Sequence, residues 1–223
     1  MSRPAPSAAP PLYVVSTSRV SARSSSQRYF AALLPQRRAV GGRLCVALRR
    51  LHTIVGEGDF DHLRVARYPG RRSLSALARS PLLRLLDNAR RDGVAALRVS
   101  EATARHEPET WRELRAVWAI TGGRDLNPSL EALGEALAQH RETHGFLAFR
   151  ASLGPPPALR AAATALSPLD ASELALIAFP SVRIAIDTLT RPAFAAVQSR
   201  VTDLKGAEWT LLERVSLREM LTP

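Results

Sequence analysis

Arg67-Tyr68-Pro69, with Pro81 twelve residues beyond Pro69, returns as Ala178-Phe179-Pro180, with Pro192 at the same spacing. One offset along the chain therefore carries both prolines to their counterparts, Pro69 to Pro180 and Pro81 to Pro192. Earlier in each half the offset is shorter, carrying Val15 to Trp118 and Gly42 to Gly145. The eight-residue difference falls at Gly154-Pro155-Pro156-Pro157, which reads as a loop inserted into the second half. Two offsets separated by one insertion are what a duplicated domain shows. The chain therefore reads as a tandem pair, 12–105 and 114–223, joined by a polar linker at 106–113. Residues 1–11 are rich in Pro, Ala and Ser, lack the apolar stretch of a secretory signal and read as a disordered leader.

Each half spells the same order of elements. Leu12–Val20 is rich in β-branched residues and predicts a strand. Ser24-Ser25-Ser26 can open a helix, whose apolar stripe is Tyr29, Phe30, Leu33 and Leu34. Pro35 unsettles its second half and Gly41-Gly42 ends it. Strands follow at 43–54 and 63–68, then a helix over 71–91 interrupted at Ser80-Pro81, then a strand at 94–99. The second half repeats this with strands at 114–121, 146–153, 174–179 and 208–215. Its helices are one capped by Asn127 with Pro128 in the first turn, and one over 181–202 broken at Pro192. The order β-α-β-β-α-β is the ferredoxin-like arrangement, an antiparallel four-stranded sheet with both helices on one face. The fold expected is thus α+β. Val, Leu and Ile occupy both parities of the strands, so each sheet has a second apolar face. The two sheets are expected to cover each other as an intramolecular pseudo-dimer.

Composition bounds the rest. The chain has 223 residues, 46% of them hydrophobic, which suffices for packed cores. Cys45 is the single cysteine, so no internal disulfide can form, and a cytoplasmic location is expected. No apolar run reaches the roughly 18 residues of a membrane span. The net charge of +11 is uneven: residues 1–105 hold 19 Arg and 6 acids, whereas residues 106–223 hold 12 Lys+Arg and 14 acids. A basic first half invites an anionic partner, or is a solvated arginine-rich surface.

The string Tyr29-Phe30, Pro35, Gly41-Gly42-Arg43, Val55-Gly56-Glu57, Arg67-Tyr68-Pro69, Ser80-Pro81 and Arg90 to Gly93 resembles the small proteins called domain of unknown function 1330. Leu176-Ile177-Ala178-Phe179-Pro180-Ser181 resembles the same third-strand motif. The likeness is fuller over 12–105 than over 114–217. It implies the dimeric α+β barrel superfamily, in which two ferredoxin-like subunits close their sheets into a barrel, here with both fused in one chain. Relatives in that superfamily include cofactor-free monooxygenases, isomerases, polyketide cyclases and haem enzymes, and fold alone does not choose among them.

No phosphate loop, metalloprotease motif or cysteine cluster occurs, and neither a cofactor nor a metal is expected. His140 and His144 have i, i+4 spacing, but no third ligand is evident. His52, late in the second strand, is the candidate proton-transfer residue. Arg43, Arg67 and Arg98 lie on three first-half strands and are the candidate ligand anchors. Their second-half counterparts read as Phe146, Ala178 and Leu211. A buried Arg is paired or serves an anionic ligand, and Glu57, Asp61 and Glu208 are the alternative partners.

These residues suggest a protein that binds a small acidic or enolisable molecule between sheet and helices of the first half, as a cofactor-free isomerase, cyclase or monooxygenase. Whether it is an enzyme stays open. The alternative is a non-catalytic structural or partner-binding pseudo-dimer. A basic nucleic-acid-binding module ranks third, because the central strands offer Cys45, Val46, Ala95 and Leu97 where base-stacking aromatics would stand. No membrane association is expected.

Overall fold

The first half contributes strands β1 (Leu12–Val20), β2 (Arg43–Val55), β3 (His62–Tyr68) and β4 (Val94–His106). Its helices are α1 (Arg23–Ala39), α2 (Arg71–Ala78) and α3 (Asp87–Gly93). The second half contributes β5 (Ala116–Gly122), β6 (Phe146–Gly154), β7 (Glu173–Phe179) and β8 (Glu208–Arg214). Its helices are α4 (Asn127–Gln139), α5 (Val182–Leu189) and α6 (Pro192–Thr202). The computed structural model describes residues 11–81, 87–155, 167–216 and 219. The expected leader, the Pro155–Pro157 insertion beyond its first residue, and the stretch just after Pro81 therefore lie outside the described residues.

The strands close into one barrel in the order β1-β3-β2-β8-β5-β7-β6-β4, antiparallel throughout. Two ferredoxin-like units are thus joined edge to edge, at the β2–β8 and β4–β6 seams. Closure removes the free strand edges that each unit would otherwise present. Equivalent strands lie four places apart around the ring and run in the same direction, so the units are related by a pseudo-twofold axis along the barrel.

Alternation along the strands divides the apolar residues among three cores. Tyr13, Val15, Leu48, Leu63, Phe149, Leu176 and Leu212 point inward and make one core that belongs to both halves. Trp118, Ile120, Phe179, Phe194 and Trp209 pack under the second half's helices. Val14, Tyr29, Phe30, Leu33, Tyr68 and Leu74 do so in the first half. The i, i+4 stripe of Tyr29, Phe30 and Leu33 explains why α1 docks as it does. It runs through Pro35 and stops at Gly41, where the Gly41 and Gly42 amides donate to the Arg38 and Arg37 carbonyls. No described helix is long and apolar enough to cross a membrane.

The structure departs from the sequence reading in four places. Strand β4 continues to His106, because Ala102 and Ala104 face the barrel interior and alternate with the outward Glu101, Thr103 and Arg105. This period-2 pattern is hidden by polar content, so the strand reads as ending at 99 and the polar stretch after it as linker, not as a seam strand. Asn127 is not a cap; its Oδ1 accepts from Arg150 NH2 at 2.6 Å. His140 ends α4 and His144 adopts a left-handed φ of 50°, so the two do not share a helix face. Finally, the hydrogen-bond register places Ala119, not Trp118, at the position equivalent to Val15: they face Leu176 and Val65, which are themselves related by the offset that carries Pro69 to Pro180. Val15 points inward, whereas Trp118 lies beneath the helices.

Candidate functional site: a cavity on the pseudo-twofold axis

At one mouth of the barrel the strand ends enclose a cavity of about 480 Å³. It lies at the pseudo-twofold axis, for eight of its sixteen lining residues form four equivalent pairs, the others coming largely from the β2–β8 side. Thr17 opposes Arg98 in the first unit, and Thr121 opposes Glu208 in the second. Asp59 and Phe60 correspond to Asp170 and Ala171 at the proline offset, and the Asp61 and Ser172 amides donate to the equivalent Ser18 and Gly122 carbonyls. All of Thr17, Thr121, Arg98, Glu208, Asp59, Asp170, Phe60 and Ala171 line the cavity.

The loop Gly56–Phe60 owes its course to glycine. Gly56 and Gly58 have φ of 84° and 60°, where side chains are disfavoured. A Cβ on Gly58 would also collide with Thr53 Oγ1. Arg50 grips this loop from β2, donating to the Gly58 carbonyl and pairing with Asp61 at 3.3 Å. On the opposite side, the chain at 167–171 is drawn over the mouth: the Val99 amide donates to the Ser167 carbonyl at 2.8 Å, and the Leu169 amide donates to Ser100 Oγ at 3.0 Å.

The electrostatics break the twofold symmetry. In the first unit Asp59 is held between Arg98 and Arg19, each at 3.0 Å. In the second unit the residue equivalent to Arg98 is Glu208, a carboxyl in place of a guanidinium. Burial raises the Glu208 carboxyl above its usual value; Arg98 opposes the shift, and Asp59 and Glu57 add to it. The lining carries four carboxyls, Glu57, Asp59, Asp170 and Glu208, against one guanidinium that is already paired. A carboxyl raised by burial in a cleft of mixed polar and apolar lining is a candidate proton-transfer group.

The four residues singled out from sequence do not converge. Arg98 lines the cavity, and its second-half counterpart is Glu208, not Leu211. Arg43 and Arg67 are cross-strand neighbours at the opposite mouth, flanking Cys45, which sits in a β2 bulge. Burial pushes the Cys45 thiol up, and the two guanidiniums oppose this. Beside them Tyr13 donates to Glu107 at 2.5 Å and packs against Trp111 and Phe149. His52 is exposed and lies opposite Leu211 on the outer surface, beyond a bulge between Arg50 and His52 that changes the strand's parity. The cavity is shared by both halves, not enclosed within the first. Glu208 and Asp170 were missed as site residues, although Asp59 and Asp170 stand at the same offset as Pro69 and Pro180.

No protein-family model and no curated protein sequence matches the chain. Solved structures do match. An anthrone oxidase-like protein is 12% identical, with 92% of each chain covered and a TM-score of 0.58. A proposed monooxygenase from Fusobacterium nucleatum is 10% identical, with 92% of this chain and 93% of that one covered and a TM-score of 0.53. At such identity the likeness is one of fold. The chain has the dimeric α+β barrel fold, with one polypeptide supplying both halves.

Proposed function

We propose that the cavity on the pseudo-twofold axis binds a small, neutral or cationic enolisable molecule and that Glu208 moves a proton on it. The observation that carries this reading is the half-buried Glu208 carboxyl lining the cavity at the position where the other unit places Arg98. The excess of carboxyls disfavours an acidic ligand. Phe60, Leu169 and Leu204 supply apolar wall, and Thr17 and Thr121 supply hydroxyls to orient a carbonyl or hydroxyl group. Cofactor-free isomerisation, cyclisation and oxygenation of an enolisable substrate share one opening step, withdrawal of an acidic proton. A carboxyl with a raised pKa is a stronger base for that step than an ordinary one. The solved structures of a proposed monooxygenase and an anthrone oxidase-like protein are compatible with such chemistry.

We further propose that the two units arose by duplication of one domain of the 1330 type. The bulges at Cys45 and Ala148, which stand at the offset that carries Gly42 to Gly145, support this.

The test follows α-proton exchange of a panel of cyclic ketones and phenolic ketones in D2O by NMR. Exchange catalysed by the unaltered protein and cut at least tenfold in Glu208→Gln is the expected result. Thr121→Phe, which fills the cavity, is expected to abolish it. Equal exchange in all three proteins, or stabilisation by carboxylate ligands alone, would refute the reading.

A further inference from the structure

Away from this cavity, the first unit buries a cation that the fold does not require. Arg64 sits mid-way along β3 on the face covered by the helices and is 4% exposed. Its NH1 donates to Ser18 Oγ at 2.7 Å, and its guanidinium stacks on the Phe30 ring at 3.5 Å. Its Nε has no acceptor among the described residues. Arg37 on α1, 8% exposed, donates from Nε to the Tyr68 hydroxyl at 3.0 Å. Neither guanidinium forms an ion pair with a carboxylate among the described residues. Burial, reinforced by the Arg37 charge, lowers the Arg64 pKa to about 9; Tyr29 opposes the shift. A buried guanidinium with no carboxylate partner is costly unless an anion compensates it.

The second unit is an internal control. The residue equivalent to Arg64 is Ala175, and that equivalent to Ser18 is Gly122. There the space beneath the helices is filled by Trp118, Phe179 and Phe194. The same backbone therefore folds with an apolar core at this place, so Arg64 is not demanded by packing.

We propose that Arg64 anchors a binding site for a small oxyanion, a carboxylate or a phosphate group, between the sheet and the helices of the first unit, with Arg37 adding positive charge. Arg64 has spent one of its five N–H groups on Ser18, and a guanidinium fork matches the two oxygens of either anion. Ser18 and Phe30 fix the plane of the fork in advance, which reduces the entropy lost on binding. This site is separate from the barrel-mouth cavity and does not depend on the reading of Glu208.

The experiment measures thermal unfolding of the full chain in sodium acetate and in sodium phosphate, at ionic strength held constant with sodium chloride. One of the two anions is expected to raise the melting temperature saturably, by about 5–10 °C at a hundredfold excess over its Kd. Whichever acts identifies the group as carboxylate or phosphate. Arg64→Met is expected to melt cooperatively and to lose the response, and Arg37→Met to weaken it. If neither anion shifts the unaltered protein, or if both variants respond as it does, the proposal fails. Should Arg64→Met not fold, calorimetric titration of the unaltered protein and of Arg37→Met decides: no saturable heat with either anion, or equal affinity in the two proteins, overturns the site.

Discussion

Gly145→Ala and Gly134→Ala make the same chemical change, one methyl group, and are expected to move stability in opposite directions. Gly134 lies exposed in α4, and a Cβ there meets nothing within 4 Å. Replacing a helix-interior glycine by alanine relieves backbone entropy worth about 0.5–1 kcal/mol. For a chain of this size that is a rise in Tm of about 1–4 °C. Gly145 precedes β6, and a Cβ there would lie 2.5 Å from Phe179 Cε1 and 2.7 Å from Leu137 Cδ2. Leu137 can rotate, but the Phe179 ring is held by Trp118 at a centroid separation of 4.3 Å. Overpacking of this kind costs about 1–3 kcal/mol, a fall of about 2–12 °C. Gly42 makes the equivalent approach in the first unit, 2.6 Å from Tyr68 Cε1, and Gly42→Ala is expected to fall as Gly145→Ala does. Differential scanning calorimetry of the three variants tests the reasoning. Shifts of the same sign for Gly134→Ala and Gly145→Ala, or a neutral Gly145→Ala, would refute it.

Further outcomes follow from the core and the titrating groups. Phe149→Ala opens the barrel core that both halves share, so it should cost about 3–5 kcal/mol and still unfold in one transition; a split into two calorimetric peaks would show the halves to be independent. Because burial raises Glu208 when folded, its ionisation favours the unfolded chain. Glu208→Gln and the unaltered protein should be equally stable near pH 4, with the variant becoming the more stable as pH rises through the raised pKa; the opposite trend in chemical denaturation would sink this assignment. His62 is pushed down to about 4 by burial and then by Arg64, so its contribution is present above about pH 6.5 and lost as pH falls toward 4. His62→Gln should flatten the denaturation profile in that window, and an unaltered slope would exclude His62 as its source.

The residues of the site differ in how legible they are in the chain. Arg98 is found by its charge within a strand pattern. Glu208 reads only as a possible arginine partner, because a carboxyl at a strand start ordinarily marks a solvent edge. Its meaning comes from its partner across the pseudo-axis, which depends on a register between strands from opposite halves of the chain that no local pattern displays. His52 misleads for a related reason: the bulge after Arg50 turns it outward, and a one-residue change of parity exchanges the faces of a strand.

The sequence by itself determined the α+β class, the order of the elements, the helix faces and the repetition of one pattern at two offsets, since each rests on local periodicity or on punctuation by proline and glycine. Only the tertiary structure decided that the sheets join through hydrogen-bonded seams into a closed barrel and that Arg43 and Arg67 stand at the mouth opposite Arg98. It alone also decided that Arg37, Arg64 and Arg90, and not these three, are buried. Those outcomes are set by register, bulges and pairing between strands remote in sequence, where side-chain alternation repeats every two positions and a single slip reverses inside and outside.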